Sequence, residues 1–215
     1  HLSLRRQRQM CIRDSFKGDK MRKDYEIILK LIPENSKVLD IGCSDGELIS
    51  YLENKGVSAQ GVELNQEKVI KCLEKGLDVI HGDINLIVED FPFNQFDYCL
   101  LTQTIQAVQK PDQLLNTLKK VSKNIIVSFN NSARLSKISN FLLSGSFDSL
   151  LKKADSDHWY NTDYIHPCSI KDFKNLAVNL DLKIISTFDV INQRKFESGK
   201  IPSNLFCKEV LFHIT

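Results

Sequence analysis

No run of about eighteen apolar residues occurs in the 215-residue chain, so no segment has the length of a membrane-spanning helix. Cys-x-x-Cys pairs are missing too. The six cysteines (Cys11, Cys43, Cys72, Cys99, Cys168, Cys207) stand 27 or more residues apart, which excludes the usual zinc spacings and a disulfide framework. Reduced, mostly buried thiols in the cytosol are then the expectation. The body of the protein has no excess of positive charge. Of the net +2, residues 1–23 contribute eight bases against two acids, and the remainder carries 21 bases against 25 acids. A mildly acidic body lacks the basic face that nucleic-acid phosphates require. The basic N-terminus has no apolar stretch of the signal-peptide kind. Residues 1–20 are expected to be a disordered polar tail or non-native, because Arg5 to Ser15 resembles a translated sequencing-adapter stretch. On that reading the natural start is Met21. A dinucleotide-type Gly-x-Gly-x-x-Gly, an internal repeat and a second domain are also absent, leaving 21–215 as one domain with a full core.

What is present is an alternation of strand and helix patterns. Residues 22–32 place Tyr25, Ile28, Leu29 and Ile32 on one helical face, ended by Pro33. Strands are expected at Lys37–Ile41, Ser58–Leu64, Asp78–His81, 96–102 and Lys123–Phe129. Helices are expected between them at about Asp45–Lys55, Gln66–Lys75 and Pro111–Ser122, with Pro111 at the first helical position. Such alternation implies crossover connections, a mostly parallel sheet and an α/β fold with helices on both faces. The rhythm breaks over 131–167, a polar stretch with an apolar patch at Phe141–Leu143 and aromatics at Trp159, Tyr160 and Tyr164. It reads as a helical insertion or lid over the ligand edge. A helix at Ser169–Leu180 follows. Lys183–Val190 and Phe206–Ile214 then close the chain as an antiparallel hairpin around Gly199 and Pro202, giving seven strands.

The chemistry concentrates where the first strand meets its helix. Asp40-x-Gly42-x-Ser44-x-Gly46 brings bare backbone N–H groups to a helix N-terminus, which suits a charged or strongly polar small molecule. Ser44-Asp45-Gly46-Glu47 also spells a capping box, which needs no ligand at all. Seventeen residues after Gly46, Glu63 closes the second strand, where a carboxylate can accept from both hydroxyls of a ribose. Gly82-Asp83-Ile84 follows the third. Three acids ending three successive strands lie along one edge of the sheet.

This pattern resembles motif one of class I S-adenosylmethionine (SAM) methyltransferases, which have glycine at the position of Ser44. The resemblance implies that Asp40, Gly42, Cys43, Ser44 and Gly46 surround the methionine part of SAM or S-adenosylhomocysteine. Glu63 and Leu64 would meet the ribose region, and Asp83 and Ile84 the adenine. A side chain at Gly42 or Gly46 would collide with the cofactor. Cys43 reads as a small packing residue and not as a nucleophile.

A narrower likeness comes from Met21-Arg22-x-Asp24, Val38 to Leu48, and the strand exit Leu101-Thr102-Gln103-Thr104-Ile105-Gln106-Ala107-Val108. Val127-Ser128-Phe129-x-Asn131, Trp159-Tyr160-Asn161-Thr162 through Ile165-His166, and Ser169-Ile170-Lys171-Asp172-Phe173 belong to it as well. Together these resemble the MetW family of methionine-biosynthesis proteins from Met21 to about Leu182, with a Rossmann-like fold and Gln103 added to the cofactor surroundings. Departures are Ser44 for glycine, Asn130 for proline, Asn161 for aspartate and a divergent 132–158. The resemblance implies a SAM-binding partner or activator of homoserine O-acyltransferase. The alternative is a methyltransferase acting on a small molecule. His158, Tyr160, Asp163 and His166 are the side chains that could serve there as base or orienter, although lid packing for Tyr160 and Trp159 and a structural turn role for His166 are the simpler reading.

Overall fold

The computed structural model describes residues 21–148, 166–195 and 201–215, with backbone only for 201–203. Helix α1 (Lys23–Leu31) leads into strand β1 (Lys37–Ile41), helix α2 (Glu47–Asn54), β2 (Ser58–Glu63), α3 (Gln66–Glu74) and β3 (Val79–His81). A four-residue α4 (Ile84–Ile87) and a 3₁₀ turn (Val88–Asp90) precede β4 (Phe96–Thr102), α5 (Pro111–Val121) and β5 (Ser122–Asn130). Then come α6 (Leu135–Ser144), α7 (Ile170–Asn179), β6 (Ile184–Asp189), β7 (Arg194–Lys195), α8 (Ile201–Phe206) and β8 (Glu209–Ile214).

The strands form one sheet in the order β3-β2-β1-β4-β5-β8-β6-β7. The first five are mutually parallel, while β8 runs antiparallel between β5 and β6. This is the doubly wound plan with an antiparallel C-terminal hairpin that the alternation implies. The count of seven strands misses β7, a two-residue pairing with β6 that carries no periodic signal. Residues expected to join the hairpin at Phe206 instead end α8, a helix not read from the pattern.

Two apolar layers clamp the sheet, and the period-two alternation assigns each strand residue to one of them. Leu39, Ile41, Cys99, Leu101, Val127, Phe129, Val210 and Phe212 face α5 and α7. Val38, Leu100, Ile126 and Leu211 face the other way, with Tyr25, Ile28 and Ile32 of α1 and Leu48, Ile49 and Leu52 of α2. Helix α7 is fixed at its start by a complete capping box: the Ser169 hydroxyl accepts from the Asp172 amide, and the Asp172 carboxylate accepts from Ser169.

Of the expected insertion, α6 is a ten-residue helix without one buried residue. The aromatic cluster Trp159, Tyr160, Tyr164, the candidates His158 and Asp163, Gly199 and the tail 1–20 lie outside the described residues. Among those described, no helix is long and apolar enough to cross a membrane.

Candidate functional site

The turn after β1 is built from left-handed backbone. Gly42, Ser44 and Gly46 have φ of 73°, 55° and 77°. Glycine takes such angles freely, whereas a serine there stores about 1–2 kcal/mol of strain. Helix α2 begins only at Glu47, with Gly46 as its N-cap and no side-chain cap. Ser44 and Glu47 therefore form no capping box. Ser44 lies two residues before the N-cap, and its amide is used elsewhere.

That amide donates to Glu63 Oε2 at 2.8 Å. The other oxygen, Oε1, accepts from the Asn65 amide at 2.9 Å. Glu63 thus ties the end of β2 to the turn of β1, and each oxygen has capacity left for another hydrogen bond. The Gly42 and Cys43 amides donate to the Val62 carbonyl at 2.8 and 3.2 Å, so this stretch of turn is hydrogen-bonded to β2 throughout.

Glycine is needed at both turn positions, Gly42 and Gly46, because a protein side chain already fills the place of a Cβ. A Cβ on Gly42 would lie 2.7 Å from Thr104 Oγ1, and that hydroxyl donates to the Ile41 carbonyl at 3.0 Å. A Cβ on Gly46 would run into Leu77 and approach Cys72 Sγ to 3.1 Å. Both side-chain positions are filled by the protein itself, Gly42's by Thr104 and Gly46's by Leu77. Expected collision with a ligand at Gly46 is replaced by collision with the α3–β3 junction. On β2, a Cβ at Gly61 would meet Cys43 Sγ at 2.6 Å and Ile49 Cδ1 at 2.7 Å.

The sheet edge opens into a cleft of about 580 Å³ lined by the strand ends, among them Gly42, Glu63, Leu64, Asp83 and Ile84. Asn65, Lys68, Asn85, Thr104, Ala107 and Val108 complete the walls. Leu64 presents 65% of its surface. Asp83 accepts on Oδ1 from the amide and side chain of Asn85 at 2.9 and 2.7 Å, which leaves Oδ2 unengaged among the described residues. No sequence pattern singled out Lys68, and Thr104 entered only as part of the strand exit 101–108, with no role in the site. The signal for Lys68 would have been its place one turn into the helix after Glu63, and for Thr104 the exit of β4 facing the glycine turn.

Five of the expected residues, Asp40, Cys43, Ser44, Gly46 and Gln103, do not line the cleft. Cys43 is buried, with its thiol pushed up by burial and by Asp40, far from thiolate chemistry. Ser44 and Gly46 serve the turn. Gln103 points away from the cleft: its Nε2 donates to Glu209 Oε1 at 2.7 Å and its Oε1 accepts from Asn130 at 2.9 Å.

Asp40 lies beneath the turn, 1% exposed, and its Oδ1 has no hydrogen-bond partner. Burial, with Asp24 and Glu63 nearby, pushes its carboxyl up to about 7 despite the opposing pull of Arg22. His166, a candidate base, sits at a chain turn: its amide donates to the Gln106 carbonyl at 3.1 Å and its Nε2 lies 3.2 Å from the Gln109 carbonyl.

Arg22, at the N-cap of α1, holds Asp24 in a two-point ion pair, Nε to Oδ1 at 3.1 Å and Nη2 to Oδ2 at 2.6 Å. Its Nη1 donates to the Tyr25 hydroxyl at 3.0 Å, and the guanidinium lies 4.3 Å from the Tyr25 ring centroid. Ser128 Oγ donates to Asp24 Oδ2 at 3.2 Å.

Comparison with known proteins places this arrangement in context. The model of the family "Methionine biosynthesis protein MetW" matches residues 22–214. A bifunctional methionine biosynthesis protein MetXA/MetW of Rhodopirellula baltica is 31% identical over 202 residues, covering 88% of this chain and 32% of that protein. The chain thus spans about a third of the length of that relative. Among solved structures, a TehB-like SAM-dependent methyltransferase of Corynebacterium glutamicum superposes with a TM-score of 0.62 at 14% identity, covering 99% of this chain and 96% of its own. A SAM-dependent methyltransferase of Archaeoglobus fulgidus gives 0.60 at 17% identity, covering 96% and 98%. One from Methanosarcina mazei gives 0.65 at 16%, covering 87% and 95%. The fold is therefore that of the class I methyltransferases, and the chain belongs to the MetW family of methionine-biosynthesis proteins.

Proposed function

We propose that the cleft binds SAM or S-adenosylhomocysteine and that the protein acts in the cytosol as a SAM-responsive partner of a homoserine O-acyltransferase. The observation that carries the first half is the run of polar groups along the strand ends. Glu63, 8% exposed and anchored by two amides, offers both oxygens to a ribose diol. Asp83 Oδ2 suits an adenine amino group, with the apolar Leu64 and Ile84 beside it for the ring. Gly42 leaves room for backbone approach by the methionine end. Asp40 and Cys43 support the turn from below, and Gln103 buttresses the neighbouring β4 exit. When bound, SAM would supply an activated methyl group. The chain's own residues would bind and orient the molecule.

The second half rests on the relative from Rhodopirellula baltica, whose name joins MetXA and MetW functions in one polypeptide. Linking two modules raises their effective concentration for one another, and a single chain is a natural form for partners that work in contact. A SAM-binding partner could then couple the methyl-donor level to acyl transfer, as a free energy shared between two sites.

Two measurements test this. S-adenosylhomocysteine at about a hundred times its Kd should stabilise the protein by roughly 2.7 kcal/mol, a rise of about 5–10 °C in melting midpoint. No shift at millimolar ligand refutes the cofactor half. Co-expression with the same organism's homoserine O-acyltransferase should change its elution volume and activity; if neither moves, the partnership is refuted. Methyl transfer to a small molecule would show as S-adenosylhomocysteine formed from SAM, without any acyltransferase.

A further inference from the structure

Thr104 lines the cleft but has no part in the ligand contacts assigned above. Its backbone belongs to the exit of β4, and its side chain lies against the turn of β1. Oγ1 and Cγ2 stand 2.7 and 2.9 Å from the place of a Cβ on Gly42. The single hydroxyl proton is shared between two backbone carbonyls, Ile41 at 3.0 Å and Thr102 at 3.1 Å. A β-branched side chain is already stiff at χ1, and these bonds hold it further. With the hydroxyl turned to the main chain, the γ-methyl is the part that remains to meet a ligand. Ala107 and Val108 continue the same wall, and the Ala107 amide donates to the Thr104 carbonyl at 2.9 Å. This side of the cleft is uncharged. The charged side chains that line it, Glu63, Lys68 and Asp83, all belong to the β2–β3 side.

The order of the strands says which part of a ligand meets the uncharged wall. Along the sheet edge run β3, β2, β1 and β4, each about 4.8 Å from the next. Asp83, Glu63, Gly42 and Thr104 follow their ends in that order and line one cleft. Adenine, ribose and sulfur is the covalent order of an adenosyl thioether or sulfonium. With adenine at Asp83 and ribose at Glu63, the next strand step brings the sulfur to Gly42, beside Thr104. The substituent on the sulfur is an alkyl group, which suits a wall of methyl groups. We propose that Thr104 limits the size of the group that the bound sulfur can carry, admitting methyl and rejecting ethyl. The proposal rests on the SAM reading of the cleft and adds a specificity-determining residue to it. Gly42 has no side chain with which to set such a limit, because Thr104 already stands in that space.

Calorimetric titration of the full chain with SAM and with S-adenosyl-L-ethionine, in which ethyl replaces the sulfonium methyl, tests the limit. Charge, adenosine and amino-acid end are the same in both, so the ratio of affinities reports the added methylene alone. The natural sequence should prefer SAM at least about tenfold, the scale of one methylene in a close-fitting apolar site. Thr104→Ser keeps the hydroxyl and removes the γ-methyl, and its ratio should fall to about threefold or less. Thr104→Val keeps the branched shape without the hydroxyl and should keep the original ratio. Thermal melts check that each variant unfolds cooperatively; if Thr104→Val does not, the comparison of Thr104→Ser with the natural sequence decides alone. The proposal is overturned if the natural sequence binds both compounds alike, if Thr104→Ser leaves the ratio unchanged, or if a folded Thr104→Val relaxes it as far as Thr104→Ser. Each of these results leaves the SAM reading standing, since both compounds still bind. Binding of neither compound, nor of S-adenosylhomocysteine, refutes the SAM reading and this limit with it.

Discussion

The carboxylate of Glu63 accepts the backbone N–H of Ser44 at 2.8 Å, so the acid that ends β2 is also the clasp of the turn that ends β1. One side chain serves both the shape of the cleft and its chemistry. Removing it acts on both.

Glu63→Ala should therefore weaken S-adenosylhomocysteine at least about tenfold, the loss of one or two charge-assisted hydrogen bonds. It should also lower unfolding free energy by about 1–2 kcal/mol as the Ser44 and Asn65 amides lose their acceptor. Calorimetric titration and urea unfolding separate the two effects. Glu63→Gln keeps the shape but can satisfy only one amide with its carbonyl oxygen, and should fall between.

The glycine turn gives a contrast of sign. Ser44→Gly releases a left-handed serine and should stabilise by about 0.5–1 kcal/mol net of glycine's greater freedom in the unfolded chain. Gly46→Ala combines a φ of 77° with collision against Leu77 and Cys72 and should cost about 3 kcal/mol or more. Gly42→Ala meets a φ of 73° and displaces Thr104 from its bond to the Ile41 carbonyl, and should narrow the cleft as well as cost stability. Chemical denaturation of the three variants orders them.

Asp40 makes stability depend on pH in an unusual direction. Its folded carboxyl is raised from 3.8 to about 7, so the folded state binds the proton that the unfolded state has already released. Stability should fall as pH rises from about 4 to about 7 and then level off, by at most about 4 kcal/mol. Glu209, raised from 4.5 to about 7 by burial and by Asp24, adds in the same window and direction. Asp40→Asn should flatten the slope without lowering stability above neutrality. Urea midpoints across that pH range check both statements.

Arg22 is the counter-charge for a fully buried acid: Asp24 is 1% exposed. Arg22→Ala should cost about 2–4 kcal/mol, most of it the penalty of leaving Asp24 alone, with some relief from water because the arginine is partly exposed. The double variant Arg22→Met with Asp24→Leu should recover most of the loss. If it is no more stable than Arg22→Ala, the cost lies in packing on Tyr25 and not in the charge.

Long, regular elements were legible because burial writes its period into the chain. Strand β1 was read to the residue, and β2 to β5 to within one residue at each end. In the last quarter α7 and β6 were legible to within one residue, but β7 and α8 were not. β7 is two residues long, and α8 opens on Ile201-Pro202, whose short apolar run reads equally as strand. At the site, position along the sheet edge was visible but side-chain direction was not. Gln103 sits at the end of β4 as expected, yet its amide is captured by Asn130, brought beside it by the parallel β4–β5 pairing, and by Glu209, brought there by the antiparallel β5–β8 pairing. The apparent capping box at Ser44 failed for a similar reason, since the Glu63 carboxylate competes for the same amide.

Gly61 sets the seating of helix α2. Without a side chain there, Cys43 and Ile49 rest directly on the strand, and the glycine turn is held between that contact and the Glu63 clasp. A turn so fixed before any ligand arrives has little ordering entropy left to lose on binding. Association should then proceed at the ordinary rate of a preformed cleft, with differences in affinity among adenosine ligands appearing in how slowly they leave.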